Sequence, residues 1–256
     1  STQSRSSAAS DVYKRQFYYH LKALDAVDPY AELKLRIGAV YARHKGRYGY
    51  RRITAVLRQA GELVNHKKVQ KLMQALGLKS LVRAKKYRSY RGQSHHVAAN
   101  VLARDFEAER PNEKWVTDVT EFNVRGEKLY LSPVMDLYNG EIVAYETSRR
   151  PVFKLVASML NKALARLKPN DRPVLHSDQG WQYQQLSYRH KLAARSVTQS
   201  MSRKGNCLDN AAMESFFGTL KAEFFHLNRF ENVDQLQTGI KQYIRYYNHD
   251  LSLIHI

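Results

Sequence analysis

The spacing of apolar residues changes along the chain, and each change marks a boundary. Residues 1–16, STQSRSSAASDVYKRQ, are Ser-rich and aperiodic, and read as a disordered or non-native tail. From Phe17 apolar residues recur at helical intervals. Leu33, Ile37, Val40 and Tyr41 share one face of a helix expected from Pro29 to Lys45, with the proline suited to its first turn. Residues 48–78 hold two shorter amphipathic patterns, Ile53, Val56 and Leu57 in one and Val69, Leu72, Met73 and Leu76 in the other. Gly61 separates them, Asn65 suits the N-cap of the second, and Gly77 stops it, which is the outline of a helix-turn-helix.

From Pro111 the texture becomes alternating strands and helices. WVTDVTEF, KLYLSPVMDL and EIVAYET predict three strands in a meander, joined by turns at Arg125-Gly126 and Asn139-Gly140. A helix over 152–167, a strand over 173–177, a helix over 182–194, a strand at SVTQS and helices over 210–225 and 232–247 are expected to follow. Strands in a block and then strand-helix alternation imply an α/β core, a mixed five-stranded sheet flanked by helices, preceded by a small all-α domain. The domain boundaries read as a helical DNA-binding domain over 17–80, a linker over 81–110, the α/β core over 111–250 and a short end over 251–256.

Charge adds a partner to this outline. The chain carries 42 Lys+Arg against 23 Asp+Glu, a net +19, and such an excess points to a polyanion. Residues 1–110 hold 23 of the bases and only 8 of the acids, so the basic surface is mostly N-terminal. DNA contacts are therefore expected from Arg51, Arg52, His66, Lys67, Lys68 and Lys71 around the helix-turn-helix. Lys85 and Lys86, interleaved with Tyr87 and Tyr90, would track a phosphate backbone in the linker. The competing reading is a basic solvated surface. The single cysteine, Cys207, excludes an intrachain disulfide and a multi-cysteine zinc cage. No apolar stretch reaches membrane-span length and no secretory signal is present, so a soluble cytoplasmic, nucleoid-associated protein without a membrane partner is expected.

Three acids stand where a charge has to be explained. Asp118 interrupts an apolar strand between Val116 and Val119, Asp178 directly follows a short strand and precedes Gly180, and Glu214 sits on a helix off the Phe216, Leu220 and Phe224 stripe. Oxygen ligands from separate elements suit Mg2+, and two such ions serve phosphodiester chemistry. Among the neighbours, Lys221 lies two turns beyond Glu214 and is expected to meet a phosphate. Arg203 and Lys204 lie in a polar loop expected to face DNA. His176 is open to a hydrogen bond with Asp178 or to plain strand packing, and Asn210 to orienting a ligand or capping its helix. Asp136 ends an apolar strand and is assigned a structural or capping role, Glu121 falls on the opposite strand face, and Asp209 is placed at a helix N-terminus favouring the dipole.

WVTDVTEF, HSDQGWQY and NAAMESFFGTLKAE, in this order and spacing, resemble the DDE transposase and retroviral-integrase superfamily, and closely the integrase-like subunit of bacterial insertion-sequence transposases. YGYRRI and VNHKKVQKLM resemble the helix-turn-helix preceding that core, and the likeness runs from about Phe17 to Asp250. The resemblance implies a ribonuclease-H-like core in which Asp118, Asp178 and Glu214 ligate two Mg2+ or Mn2+ ions. It implies cleavage of one DNA strand by water and joining of the freed 3′-hydroxyl to target DNA, by a homo-oligomer bound at inverted-repeat ends, with an upstream-frame subunit as a further partner. LSLIHI departs from the family pattern and reads as a truncated or non-native end. Two other readings stay open on the residues alone, a DNA-binding repressor derived from a mobile element and a ribonuclease-H-type nuclease without strand transfer.

Overall fold

A computed structural model of the chain describes residues 28–81, 98–203 and 207–251. It divides into two units, Ser1–Ser80 and Leu81–Ile256.

In the first unit the threes-and-fours spacing produces α1 (Ala31–Arg43), α2 (Tyr50–Gln59) and α3 (His66–Ala75). Pro29 and Tyr30 form a turn before α1 instead of its first turn, tied by the Tyr30 N–H donating to Asp28. Ile37 from α1, Ile53 and Leu57 from α2 and Val69, Leu72 and Met73 from α3 are buried together with Tyr48, whose ring stacks on His44 at 3.7 Å. Between α2 and α3 the chain turns through Gly61 at φ +89°, a conformation that costs a glycine little. Asn65 then caps α3, its side-chain oxygen accepting from the Lys67 N–H at 2.9 Å.

The second unit is built on a sheet of β1 (Lys114–Thr117), β2 (Thr120–Val124), β3 (Glu127–Asp136), β4 (Ile142–Ser148), β5 (Val174–Ser177) and β6 (Thr198–Met201). β3 runs antiparallel to β1 and β2 on one side and to β4 on the other, while β5 lies parallel to β1, and β6 parallel to β5. Trp115 faces Asp136 and Thr120 faces Leu131, so β1 and β2 continue one ladder in unbroken register. The sheet therefore has five strand positions, one of them interrupted, and is mixed.

The interruption falls at Asp118 and Val119, and its cause is on the partner strand. In that register Asp118 stands opposite Pro133. The Leu137 N–H donates to the Lys114 carbonyl, so alternate residues of β3, Pro133 included, turn their backbone toward this strand. Proline has no N–H to donate, and the ladder loses its bond at Asp118.

α4 (Phe153–Ala165) and α5 (Leu186–Ala194) cover one face of the sheet. Val156, Met159, Leu160 and Ala163 of α4 and Tyr188 and Leu192 of α5 join Trp115, Val134, Leu175 and Met201 in one buried cluster. α6 (Ala211–Leu220) and α7 (Val233–Tyr246) supply a second apolar layer from Met213, Phe216, Leu220, Leu236 and Ile240. The single helix expected over 210–225 is α-helical only to Leu220 and continues as a wider π turn over Lys221–Phe225. Gly239 of α7 makes room for this turn, since a Cβ there would stand 2.6 Å from the Phe224 ring. Among the described residues no helix is long and apolar enough to cross a membrane.

Asp209, in the 3-10 turn Cys207–Asn210 before α6, is fully buried. Instead of acting at the helix N-terminus alone, it accepts from the Arg203 side chain at 3.1 Å, from Arg104 at 2.8 Å and from Asn100 at 3.1 Å. Arg203 above all, with Arg104, holds its carboxyl well below the usual carboxylate range. This clasp joins the segment entering the core to the turn that launches α6.

Two outcomes follow from these contacts. Replacing Asn65 with Ala should lower the stability of the helical unit by about 1 kcal/mol in urea denaturation, whereas Asn65→Asp should leave it nearly unchanged. Asp209→Asn should cost about 2 kcal/mol at pH 7, the scale of hydrogen bonds to charged groups. A carboxyl depressed on folding stabilises fully above its unfolded pKa of about 3.9 and loses that contribution as pH falls through the folded value. The stability gap between wild type and Asp209→Asn should therefore close in acid titrations below about pH 4.

Candidate active site

β1 and β5 are adjacent, parallel and paired as Lys114 with Val174, Trp115 with Leu175 and Val116 with His176. Carried two residues further, the same register sets Asp118 beside Asp178, at the carboxyl ends of strands whose backbones run about 5 Å apart. This is the end of an open α/β sheet where ligands collect.

Each carboxylate is steadied by a local backbone donor. The Val119 N–H donates to Asp118 Oδ1 at 2.7 Å, and the Gly180 N–H to Asp178 Oδ1 at 2.9 Å. Gly180 has a steric role as well, because a Cβ there would stand 2.9 Å from both Asp178 Oδ1 and Gln182 Oε1. The side chains are not sealed from water, Asp118 being half-buried and Asp178 exposed. Enclosure by surrounding chain, then the charge of Asp178, and more weakly that of Glu214, push the Asp118 carboxyl up to about 8. The Val119 N–H and the Lys221 ammonium oppose this rise. Asp178 is raised too, by its enclosure, against the Gly180 N–H.

Glu214 is half-buried on the first turn of α6, and its charge reaches Asp118. Asp118 and Asp178 are thus direct neighbours by strand register, while Glu214 acts on Asp118 more weakly, from across the sheet-helix boundary. Among the described residues no three His, Cys, Asp or Glu side chains close into a ready-made metal cage. The donor set nevertheless fits a hard divalent cation: it is all carboxylate, mutually repelling, and partly open to water.

The surrounding residues divide between expectation and correction. The Lys221 ammonium lies over the Phe122 ring at 5.3 Å and its charge acts on both Asp118 and Glu121. Asn210 occupies the N-cap position of α6 but makes no side-chain cap bond, which corrects the capping reading. Its amide instead donates to the Thr117 carbonyl at 3.2 Å, fastening α6 to β1 one residue before Asp118. His176 is buried between the Ser200 and Ser202 hydroxyls, at 2.8 and 3.1 Å, and is held near 4 by burial, hence neutral at pH 7. Neither bond reaches Asp178, so His176 is a packed strand histidine. Asp136 accepts from the Asn112 and Tyr138 N–H groups and organises the turn after β3, and Glu121 pairs with Lys128.

Two contributors were not legible from spacing. Tyr183 is buried, and its ring comes within 3.3 Å of a Cβ placed on Gly180. Its phenol lies in the field of Asp118 and Asp178, with the consequence that its ionisation is strongly suppressed, burial being the larger cause. Gln179 donates to the Ser202 carbonyl at 2.9 Å and ties the Asp178 turn to the segment after β6. The motif HSDQGWQY contained both residues, but nothing in it showed which side chains turn inward.

In the helical unit Arg51, His66, Lys67, Lys68 and Lys71 are exposed. Arg52 is half-buried with its guanidinium over the Tyr48 ring, and Lys68 reaches over the Tyr30 ring at 4.4 Å. Arg203, expected on a DNA-facing loop, has its guanidinium committed to Asp209. Lys85, Lys86 and Lys204 lie outside the described residues.

Comparison with known proteins agrees with this architecture. The Integrase core domain family matches residues 108–207 and a second family of the same description matches 214–255, while an HTH-like domain matches 29–86. The putative transposase InsK for insertion sequence element IS150 of Escherichia coli is 55% identical over 94% of this chain and 85% of its own length. The transposase for insertion sequence element IS904 of Lactococcus lactis is 38% identical over 84% of this chain and 86% of its own. The catalytic core domain of HTLV-2 integrase, solved in complex with magnesium, covers 55% of this chain and 88% of that one at 16% identity and a TM-score of 0.43. With a mixed sheet matched by the Integrase core domain family, an HTH-like domain before it in the chain and relatives of this closeness, the chain belongs to the insertion-sequence transposases that carry an integrase core domain.

Proposed function

We propose that this transposase nicks one DNA strand at the ends of its element with water, and joins the freed 3′-hydroxyl to target DNA by transesterification. The observation that supports the reading is the register of β1 and β5, which runs on to Asp118 and Asp178, with the charge of Glu214 acting on Asp118. The three carboxylates would hold two Mg2+ or Mn2+ ions, with Glu214 brought in from α6 by side-chain rotation. Bound there, the ions would activate the incoming oxygen and stabilise the leaving one. The chain's own part is to keep two repelling carboxylates in place, Asp118 through the Val119 N–H and Asp178 through the Gly180 N–H. Lys221 adds positive charge beside Asp118, where a phosphate of the scissile strand would lie. No Ser or Tyr nucleophile is needed, because both steps use an oxygen of water or of DNA.

DNA is the partner at both units. The exposed Lys67 and Lys71 of α3, with Arg51 and His66, suit major-groove or phosphate contacts at the inverted-repeat ends. Pairing two ends calls for a homo-oligomer acting on chromosomal DNA in the cytoplasm.

Asp118→Asn, Asp178→Asn and Glu214→Gln should each lower Mg2+-dependent nicking and joining of end DNA by about a thousandfold or more, with DNA binding retained in gel shift. Chelation by EDTA should reproduce that loss in wild type, and unchanged nicking in any of the three variants would remove that residue from the site. Gly180→Ala, which drives a methyl against Asp178, should reduce nicking by about ten- to a hundredfold, the scale of an ångström-sized misplacement. Its circular dichroism spectrum should stay that of wild type.

A further inference from the structure

Trp181 follows Asp178 by three residues and is 51% exposed. The only other tryptophan, Trp115, is completely buried. An indole is the largest apolar surface a residue can bury, so leaving it in water beside a carboxylate forgoes substantial stabilisation. Its backbone is held in a hydrogen-bonded turn. The Tyr183 N–H donates to the Gly180 carbonyl at 3.0 Å, and the Trp181 carbonyl accepts from the Gln184 N–H and the Gln185 side chain, both at 3.3 Å. Gln184 also donates to the Gln179 carbonyl at 2.6 Å, and the buried Tyr183 ring anchors the turn from below. Among the described residues no aromatic ring stacks on Trp181. A hydrogen-bonded turn three residues past Asp178 therefore presents an aromatic face that no other ring covers among the described residues.

Distance restricts what that face can meet. Three peptide steps span at most about 11 Å, and the turn shortens this. Bases in a duplex follow one another every 3.4 Å or so, which puts the indole within one or two nucleotides of a phosphate seated on Asp178. We propose that Trp181 stacks on a nucleobase adjoining the scissile phosphate and so fixes that nucleotide against the carboxylates. The proposal rests on the DNA-cleaving reading of the site. Because a base must leave its own stack to receive the indole, unpaired or frayed ends should be favoured over fully paired ones.

The intrinsic fluorescence of the full chain tests this, since only Trp181 faces water. The probes are an oligothymidylate of about twenty nucleotides, and duplexes of similar length with paired or with unpaired thymidine ends, titrated in EDTA. Wild-type emission should be quenched by the oligothymidylate and by the frayed duplex, and less by the blunt one. In Trp181→Phe the quench should vanish with affinity for the frayed duplex kept within about twofold, while Trp181→Ala should lose about tenfold by anisotropy. In Mg2+, nicking by Trp181→Ala should fall about tenfold and be restored in Trp181→Phe. DNA binding without any change in tryptophan emission, or equal affinity for frayed ends in wild type and Trp181→Ala, would overturn the stacking role. Wild-type nicking accompanied by either result would leave the cleavage reading standing, whereas quenching without metal-dependent nicking would sink that reading and leave the aromatic contact.

Discussion

Two acids held so close that they resist ionising together are the constraint around which the second unit is arranged. Parallel pairing of β1 with β5 brings Asp118 and Asp178 side by side, and two carboxylates in that position raise each other's energy. The fold tolerates this because the cost is met by rigid surroundings. The ladder to β3 is already broken at Asp118 by Pro133, so the strand can depart from regular geometry there without losing a further bond. On the other side Gly180 leaves room for the Asp178 carboxylate and donates its N–H to it. A cation between the two carboxylates would favour their ionised forms.

The third acid belongs to a different layer, and its position depends on how α6 is fastened. Asn210 ties the start of α6 to the backbone of β1, and Asp209 ties the turn before it to Arg203 and Arg104. Aromatic packing of Phe216 on Tyr247 and of Phe224 against Tyr243 secures the rest of the helix and its π turn. These ties set where the first turn of α6, and with it Glu214, stands relative to β1. Positive charge near the site serves two purposes: Arg203 and Arg104 hold the architecture, and Lys221 remains beside Asp118.

The helical unit divides its bases differently. Ile53, Leu57, Val69 and Leu72 take up the inner faces of α2 and α3, which leaves Lys67 and Lys71 with nothing to do but meet solvent or a polyanion. Among the described residues both units also commit bases to ion pairs, Lys34 with Asp28 in the helical unit and Lys114 with Asp105 and Arg166 with Glu141 in the second.

Much of this was legible in the order of residues. Strand and helix periods, the Asn65 cap and the turns at Gly61 and Gly126 are local properties, set by φ preference and side-chain alternation within a few residues. An acid inside an apolar strand, as at Asp118, announces itself in the same way. What remained hidden depends on atoms far apart in the chain. Asn210 reads as a cap or a ligand-orienting group until Thr117 offers its carbonyl, the Arg203 pairing with Asp209 gives no sign in the sequence, and His176 stays open between Asp178 and strand packing until Ser200 and Ser202 enclose it. The sequence by itself determined the elements and named the charged candidates. Only the tertiary structure decided which partner each polar group meets, because a hydrogen bond or ion pair is won by whichever group the packing brings within reach.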